Sequence, residues 1–276
     1  MDCKLTLRLH KPSDGLKGIV KQYVLIESLE GQDKLWILPN LGNYLLFNPG
    51  IKGVLQEYDS DKVTHTIPKE FCIGVKSTQI VRLIVQEKDN TRFPMYGIEL
   101  HPTGFHRLFG KDSYTLQEGH KLLKEYLEGK ETLFNDLYSL NSVEAQVQYL
   151  EKGLLRLKND TSKTEHLVNK IDEIIYYIIE NITNVNINDI LETFSYSRTS
   201  LGRDFKKVVG YSPKDFIQTM RFYMLSKELI GNGYDYKTLA YAFSDQSHMN
   251  KAFKKFVDIT PSKFQTYLKD NEIKVH

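Results

Sequence analysis

The residues of this chain whose types and spacing can do chemistry are cationic and polar, and they recur. Between 197 and 209, Ser197, Arg198, Thr199, Arg203, Lys206 and Lys207 are interleaved with Leu201, Phe205 and Val208. At helical periodicity the three apolar residues share one face and the polar ones line the remainder. A helix of this kind is anchored by its apolar row and presents guanidinium, ammonium and hydroxyl groups outward. Those groups suit a nucleic-acid duplex: Arg203 can meet guanine bidentately and Thr199 a thymine methyl, while Lys206 and Lys207 suit phosphates. Read singly, each lysine is equally an ordinary solvated helix charge. The arrangement is repeated, however. Setting Leu201 against Met249 lays Phe205, Lys206, Lys207, Val209, Pro213 and Phe216 on Phe253, Lys254, Lys255, Val257, Pro261 and Phe264. Self-similarity at this length marks one structural unit used twice. The formal net charge is only +2 over 276 residues, so the basic excess is local. From 197 to 221, six cations oppose Asp204 and Asp215; from 245 to 263, four lysines oppose Asp245 and Asp258.

Other chemistries lack their residues. His65, His101, His106 and His120 are scattered, and His101 and His106 are separated by Pro102 and Gly104 without the HxH that a cupin metal site requires. No GxSxG, Walker loop or HExxH occurs, so no catalytic residue, metal or cofactor is expected. Cys3 and Cys72 are the only cysteines, which supports neither a disulfide framework nor a CxxC pair and fits a reducing compartment. The first residues, MDCKLTLRLHKPSD, carry charges through their short apolar run, unlike a signal peptide. No stretch approaches the roughly 18 apolar residues of a membrane span. The expectation is a cytoplasmic protein away from membranes. Aromatic residues make up 12% of the chain, 17 of them tyrosine, and are read as filling a core in preference to lining a pocket.

The elements that must position the basic repeat follow from periodicity. From 5 to 102 the period is two: short β-branched and aromatic runs at 20–26, 36–38, 44–47, 71–75, 81–85 and 95–100 are separated by Gly, Pro, Asn and Asp clusters. That pattern predicts an antiparallel sandwich or small barrel. A short turn or helix is expected at 104–110, then helices over 121–140 and 143–157. The stripe Val143, Val147, Leu150, Leu154, Leu157 is read as core packing ahead of a dimer seam. Residues 158–165, KNDTSKTE, carry no large apolar side chain and read as a linker. Everything after is helical: 167–182, 189–194, 198–208, 213–230, 237–243, 246–257 and 261–268. Asn186 or Asn188 suits an N-cap, as does Ser197, and Ser212-Pro213 pairs a cap with proline at the first helical position. Gly210 suits a C-terminal break with positive φ. Two domains are expected, 1–160 as a β-rich unit with trailing helices and 165–276 as a helical unit that carries the basic repeat.

SRTSLGRDFKKVVGYSPKDFIQTMRF and FSDQSHMNKAFKKFVDITPSKF resemble the two helix-turn-helix motifs of the AraC/XylS family of transcriptional regulators. The resemblance covers roughly 186–268 and rests on an S-x-x-x-L-x-R-x-F-K-x-x-x-G-x-S-P order in the first copy and a D-Q-S-H start with a T-P ending in the second. It implies an α+β chain: an N-terminal cupin-like barrel or sandwich with helices, then an all-α double helix-turn-helix domain. It implies a sequence-specific regulator whose two recognition helices, held by a long connecting helix, enter successive major-groove faces of promoter DNA. Carried over by position, the DNA-facing residues are Ser197, Arg198, Thr199 and Arg203 in the first motif, with Lys206 and Lys207 on phosphates. In the second they are Gln246, Ser247, His248, Asn250 and Lys251, with Lys254 beside them. Other partners implied are a small-molecule effector, RNA polymerase and a second copy of the chain. ILPNLGNYLLFNPG, FCIGVKSTQ and ELHPTGFHRLFG are similar to the N-terminal domain of a bacterial subgroup of these regulators. Three departures stand out. Ser195 replaces the glycine of the first turn, Asp258 that of the second motif, and LAYAFSDQSH is about two residues short. They predict that the first motif dominates sequence reading. The competing reading is a small-molecule-binding barrel whose degenerate helical domain engages a protein partner.

Overall fold

The computed structural model describes residues 6–28, 35–37, 42–50, 52–57, 63–74, 81–87, 94–116, 120–158, 164–231, 246–257 and 259–270. The described residues include ten strands: β1 (Thr6–His10), β2 (Val20–Ser28), β3 (Leu35–Ile37), β4 (Tyr44–Phe47), β5 (Lys52–Glu57), β6 (Val63–Ile67), β7 (Cys72–Gly74), β8 (Val81–Glu87), β9 (Met95–Leu100) and, after the first helix, β10 (Lys121–Leu122). They form a six-stranded sheet in the order β1-β2-β9-β4-β7-β10 and a four-stranded sheet in the order β3-β8-β5-β6. Every pairing is antiparallel. β9 lies between β2 and β4, and all six of its residues, MYGIEL, are buried. Its one carboxylate, Glu99, is 4% exposed and accepts hydrogen bonds from Lys21 Nζ at 2.8 Å and Gln22 Nε2 at 2.7 Å. Without such donors a buried carboxylate would bear the full cost of its lost hydration.

Eight helices complete the described chain: α1 (Gly104–Phe109), α2 (Val143–Leu157), α3 (Glu165–Glu180), α4 (Ile187–Thr193), α5 (Arg198–Val209), α6 (Pro213–Gly231), α7 (Gln246–Val257) and α8 (Pro261–Asp270). Leu150, Leu154 and Leu157 of α2 are buried in one cluster with Tyr23, Leu45, Tyr96 and Ile98 of the larger sheet, so the expected stripe is core. The tyrosines there are anchored by their polar ends: Tyr23 on Glu151 and Tyr138 on the Phe47 carbonyl.

The helix expected over 121–140 is not there. That segment adds β10 to the sheet beside β7 and then runs through 3-10 turns at Leu123–Tyr126 and Leu137–Ser139. Glu128 and Gly129 both take positive φ, 40° and 79°, which stops any helix at that point. Leu123, Leu127, Phe134 and Leu137 are nevertheless buried, so successive turns bury the apolar spacing that a single helix was expected to bury. Strands β5 and β6 also escaped the sequence reading: KGVLQE and VTHTI offer no continuous apolar run.

Downstream, α3 turns Val168, Ile171, Ile174 and Ile178 inward against Ile190 of α4, Leu201 and Phe205 of α5 and Phe216 of α6. The repeat in the sequence has a direct structural meaning. Phe205 and Phe216 meet edge to face with centroids 5.3 Å apart, and their counterparts Phe253 and Phe264 meet at 5.7 Å. Phe222 of α6 stacks on Phe256 at 4.6 Å and so ties the second unit to the connecting helix.

The sheet-bearing part and the helical part are fastened together. Thr103 Oγ1 donates to Asp172 Oδ1 at 2.8 Å, and Arg107 Nη2 reaches Asp172 Oδ2 at 2.6 Å and Asn169 Oδ1 at 2.9 Å. Ser113 Oγ donates to the Val208 carbonyl at 2.5 Å in a buried bond. The fold class expected from the sequence, β-rich first and all-α after, is the one found among the described residues.

Candidate nucleic-acid interface

The first unit is built by caps. Asn186 Oδ1 accepts from the Asn188 and Asp189 amides while Asp189 Oδ2 accepts from the Asn186 amide, a reciprocal box that starts α4. The turn after α4 passes through Ser195, the serine noted above in place of glycine, at φ 52°, a conformation that strains a non-glycine residue. Ser197 Oγ then accepts from the Ser200 amide at 3.1 Å and opens α5. Gly210 ends α5 at φ 90°, its amide donating to the Lys206 carbonyl at 2.9 Å. Ser212 Oγ accepts from the Asp215 amide at 3.1 Å and opens α6 on Pro213. These orphan amides have side-chain acceptors at each start, which fixes the axis of each short helix.

On α5, Leu201, Phe205 and Val208 are buried, and Ser197, Arg198, Thr199, Arg203 and Lys206 are exposed on the other side. Arg198 is steadied by Asn188 of α4, Nη2 to Oδ1 at 2.9 Å, and Arg203 by Asp204, Nε to Oδ1 at 2.9 Å. Lys207 is placed differently from its neighbours: it is half-buried, with its ammonium 3.9 Å from Asp112 of the sheet-bearing part. On α7, Ser247, Lys251 and Lys254 are exposed, Asn250 is half-buried, and Phe253, Phe256 and Val257 face inward. The side chains of Gln246 and His248 lie outside the described residues, as do the helix expected at 237–243 and the whole of Asp258. The second unit's cap is looser than the first: Lys263 N stands 3.5 Å from Thr260 Oγ1.

Sequence reasoning missed what Arg221 does. Counted above among the cations available to DNA, it donates through Nε to the Ile182 carbonyl and through Nη2 to the Val185 carbonyl, both at 2.6 Å. Burial lowers its pKa from the ordinary guanidinium value. It fastens α6 to the turn between α3 and α4, a role for which the local sequence holds no signal because its partners are carbonyls 36 and 39 residues away. Of the histidines once weighed as ligands, His106 is 1% exposed and its Nδ1 pairs with the Lys111 carbonyl at 2.9 Å. Among the described residues no group of three or more His, Cys, Asp or Glu is arranged to hold a metal ion.

Two exposed cationic rows, on α5 and α7, each held by a buried aromatic pair, form a surface suited to a polyanion. Residues 190–267 match a family model described as a helix-turn-helix domain. The chain is 32% identical over 98 residues to the HTH-type transcriptional activator AarP of Providencia stuartii, which covers 34% of this chain and 73% of that protein. It is 28% identical over 226 residues to the HTH-type transcriptional regulator YbfI of Bacillus subtilis, 79% of this chain and 73% of that protein. Among solved structures, an apo variant of ToxT from Vibrio cholerae superposes over 93% of this chain and 99% of that one, with a TM-score of 0.44 and 14% identity.

Proposed function

The chain belongs to the AraC/XylS family of helix-turn-helix transcriptional regulators, and from that premise we propose which of its residues read DNA and which hold the reader. It is a sequence-specific DNA-binding regulator that reads the major groove with two recognition helices, α5 and α7. In our assignment Arg203 takes a guanine edge, Thr199 a thymine methyl, Arg198 and Ser197 the neighbouring bases, and Lys206 phosphate. Ser247, Asn250 and Lys251 take the corresponding places on α7 together with Gln246 and His248, and Lys254 takes phosphate. Lys207 reaches phosphate only from the flank it shares with Asp112. The observation that carries this reading is the exposed row Ser197, Arg198, Thr199, Arg203, Lys206 standing opposite the buried row Leu201, Phe205, Val208 on a helix capped at both ends.

We further propose a domain boundary between 1–160 and 165–276, with effector binding or pairing with a second copy assigned to the first domain and RNA polymerase as a protein partner. No described helix is long and apolar enough to cross a membrane, and we place the protein in the cytoplasm with its DNA. The test is titration of a selected promoter fragment against random DNA at several salt concentrations. A specific-to-nonspecific ratio of at least about 1,000 is expected; a ratio near one, with affinity set by salt alone, refutes the assignment.

A further inference from the structure

The first recognition helix carries a carboxylate beside the very residue assigned to a base. Asp204 Oδ1 accepts from Arg203 Nε at 2.9 Å. The two side chains differ sharply in environment: Arg203 is 70% exposed and Asp204 only 17%. Asp204 is turned back toward the scaffold, beside Tyr196, whose phenol pKa is raised by burial and by the Asp204 carboxylate. Tyr196 is fixed in turn by its amide, which donates to the Leu191 carbonyl at 3.0 Å, and by the Lys170 ammonium 4.3 Å from its ring centroid. A chain of contacts thus runs from α3 through the turn before α5 to a guanidinium at the exposed surface. A carboxylate at a phosphate-facing surface opposes DNA by charge, so its presence there calls for another role. Arginine presents five N–H donors in a rigid fork. With Nε–H engaged by Asp204, the two terminal amino groups remain, and these form the edge that meets guanine O6 and N7.

We propose that Asp204, backed by Tyr196, is a positioning residue that presets Arg203 for end-on bidentate reading of a single guanine. This rests on the assignment of Arg203 to a base. The preset side chain surrenders less freedom on binding than a free arginine, so the benefit falls on discrimination at one base pair and not on attraction at large.

The experiment takes the full chain and a site obtained by random-pool selection, and measures affinity for all four base pairs at every position at fixed salt. Arg203→Ala should abolish a guanine preference at one position. Asp204→Ala should weaken preference at that same position by about tenfold, while affinity for random DNA stays level or rises because a carboxylate has gone. Asp204→Asn, which keeps an oxygen acceptor and the side-chain size, should retain more of the preference than Asp204→Ala, and Tyr196→Phe should fall between Asp204→Ala and the wild type. A purely structural role would lower affinity at all positions alike, and that result overturns the proposal. So does a preference surviving in both Asp204 variants but lost in Arg203→Ala. If Arg203→Ala leaves every preference intact, the base assignment fails and the proposal falls with it.

Discussion

At the scale of single residues, Gly210 and Gly202 lie in one stretch of chain and predict opposite outcomes. Gly210 stands at φ 90°, and a Cβ built there would lie 2.9 Å from the Ser113 carbonyl oxygen. Gly210→Ala therefore carries both backbone strain and a clash with main chain, and should cost about 1–3 kcal/mol in thermal or denaturant unfolding. Gly202 lies within α5 with nothing within 4 Å of the same imagined atom. Gly202→Ala should raise stability by about 0.5–1 kcal/mol. His106 supplies a pH prediction. Burial holds its pKa below the ordinary imidazole value, with Lys207 and Arg107 acting in the same direction and the Lys111 carbonyl and Asp112 opposing. Its Nε2 is buried without a partner, so a proton added there has no acceptor. The folded state thus prefers the neutral ring, and this contribution is complete above about pH 6.5 and lost as pH falls below it. His101, lowered chiefly by burial, acts with the same sign. The melting temperature should therefore drop between about pH 7.5 and pH 5.5, and less steeply in His106→Asn, which keeps the donor to Lys111 but cannot titrate there.

At the scale of elements, the decisive part is α6, since both reading units hang from it. Arg221→Ala would leave the Ile182 and Val185 carbonyls without their guanidinium donor and should cost about 1–3 kcal/mol. Arg221→Lys should not restore it, because a single ammonium does not reproduce a two-pronged fork. DNA affinity should fall with an unchanged salt dependence, whereas Lys206→Ala should make the dependence of log affinity on log salt shallower by about 0.9. That contrast separates a cation that builds the reader from one that neutralises phosphate. The amphipathic helices were legible in the sequence because their information is local: α2 and α7 fall at 143–157 and 246–257 as expected, and Ser197 and Gly210 bracket α5 as expected. The segment 121–140 was misread because two residues with positive φ interrupt a spacing that otherwise suits a helix. Arg221 was misread for another reason: it is recruited by partners distant in sequence, the carbonyls of the α3–α4 turn.

At the scale of the whole molecule, the joint between the sheet-bearing part and the helical part concentrates on Asp172 and Ser113. Asp172→Ala removes the shared acceptor of Thr103 and Arg107. Hydrogen exchange should quicken at 104–109 and across the first turns of α3, while α7 and α8 remain unchanged; unaltered exchange at 104–109 would show that the joint is held elsewhere. None of these contacts could be read from the sequence, because Thr103, Arg107 and Ser113 look like ordinary turn and surface residues until their partners 62 to 95 positions away are known.

The buried bond from Ser113 to the carbonyl of Val208 has a consequence for geometry on the duplex. It ties the sheet-bearing part to the helix that enters the groove, so once α5 is seated that bulk projects from the double helix at a fixed azimuth. Sliding the binding site by about five base pairs, half a turn, carries it to the opposite side of the DNA axis. Regulation by this protein should then oscillate with the helical phase between its site and the promoter, with a period of about 10.5 base pairs.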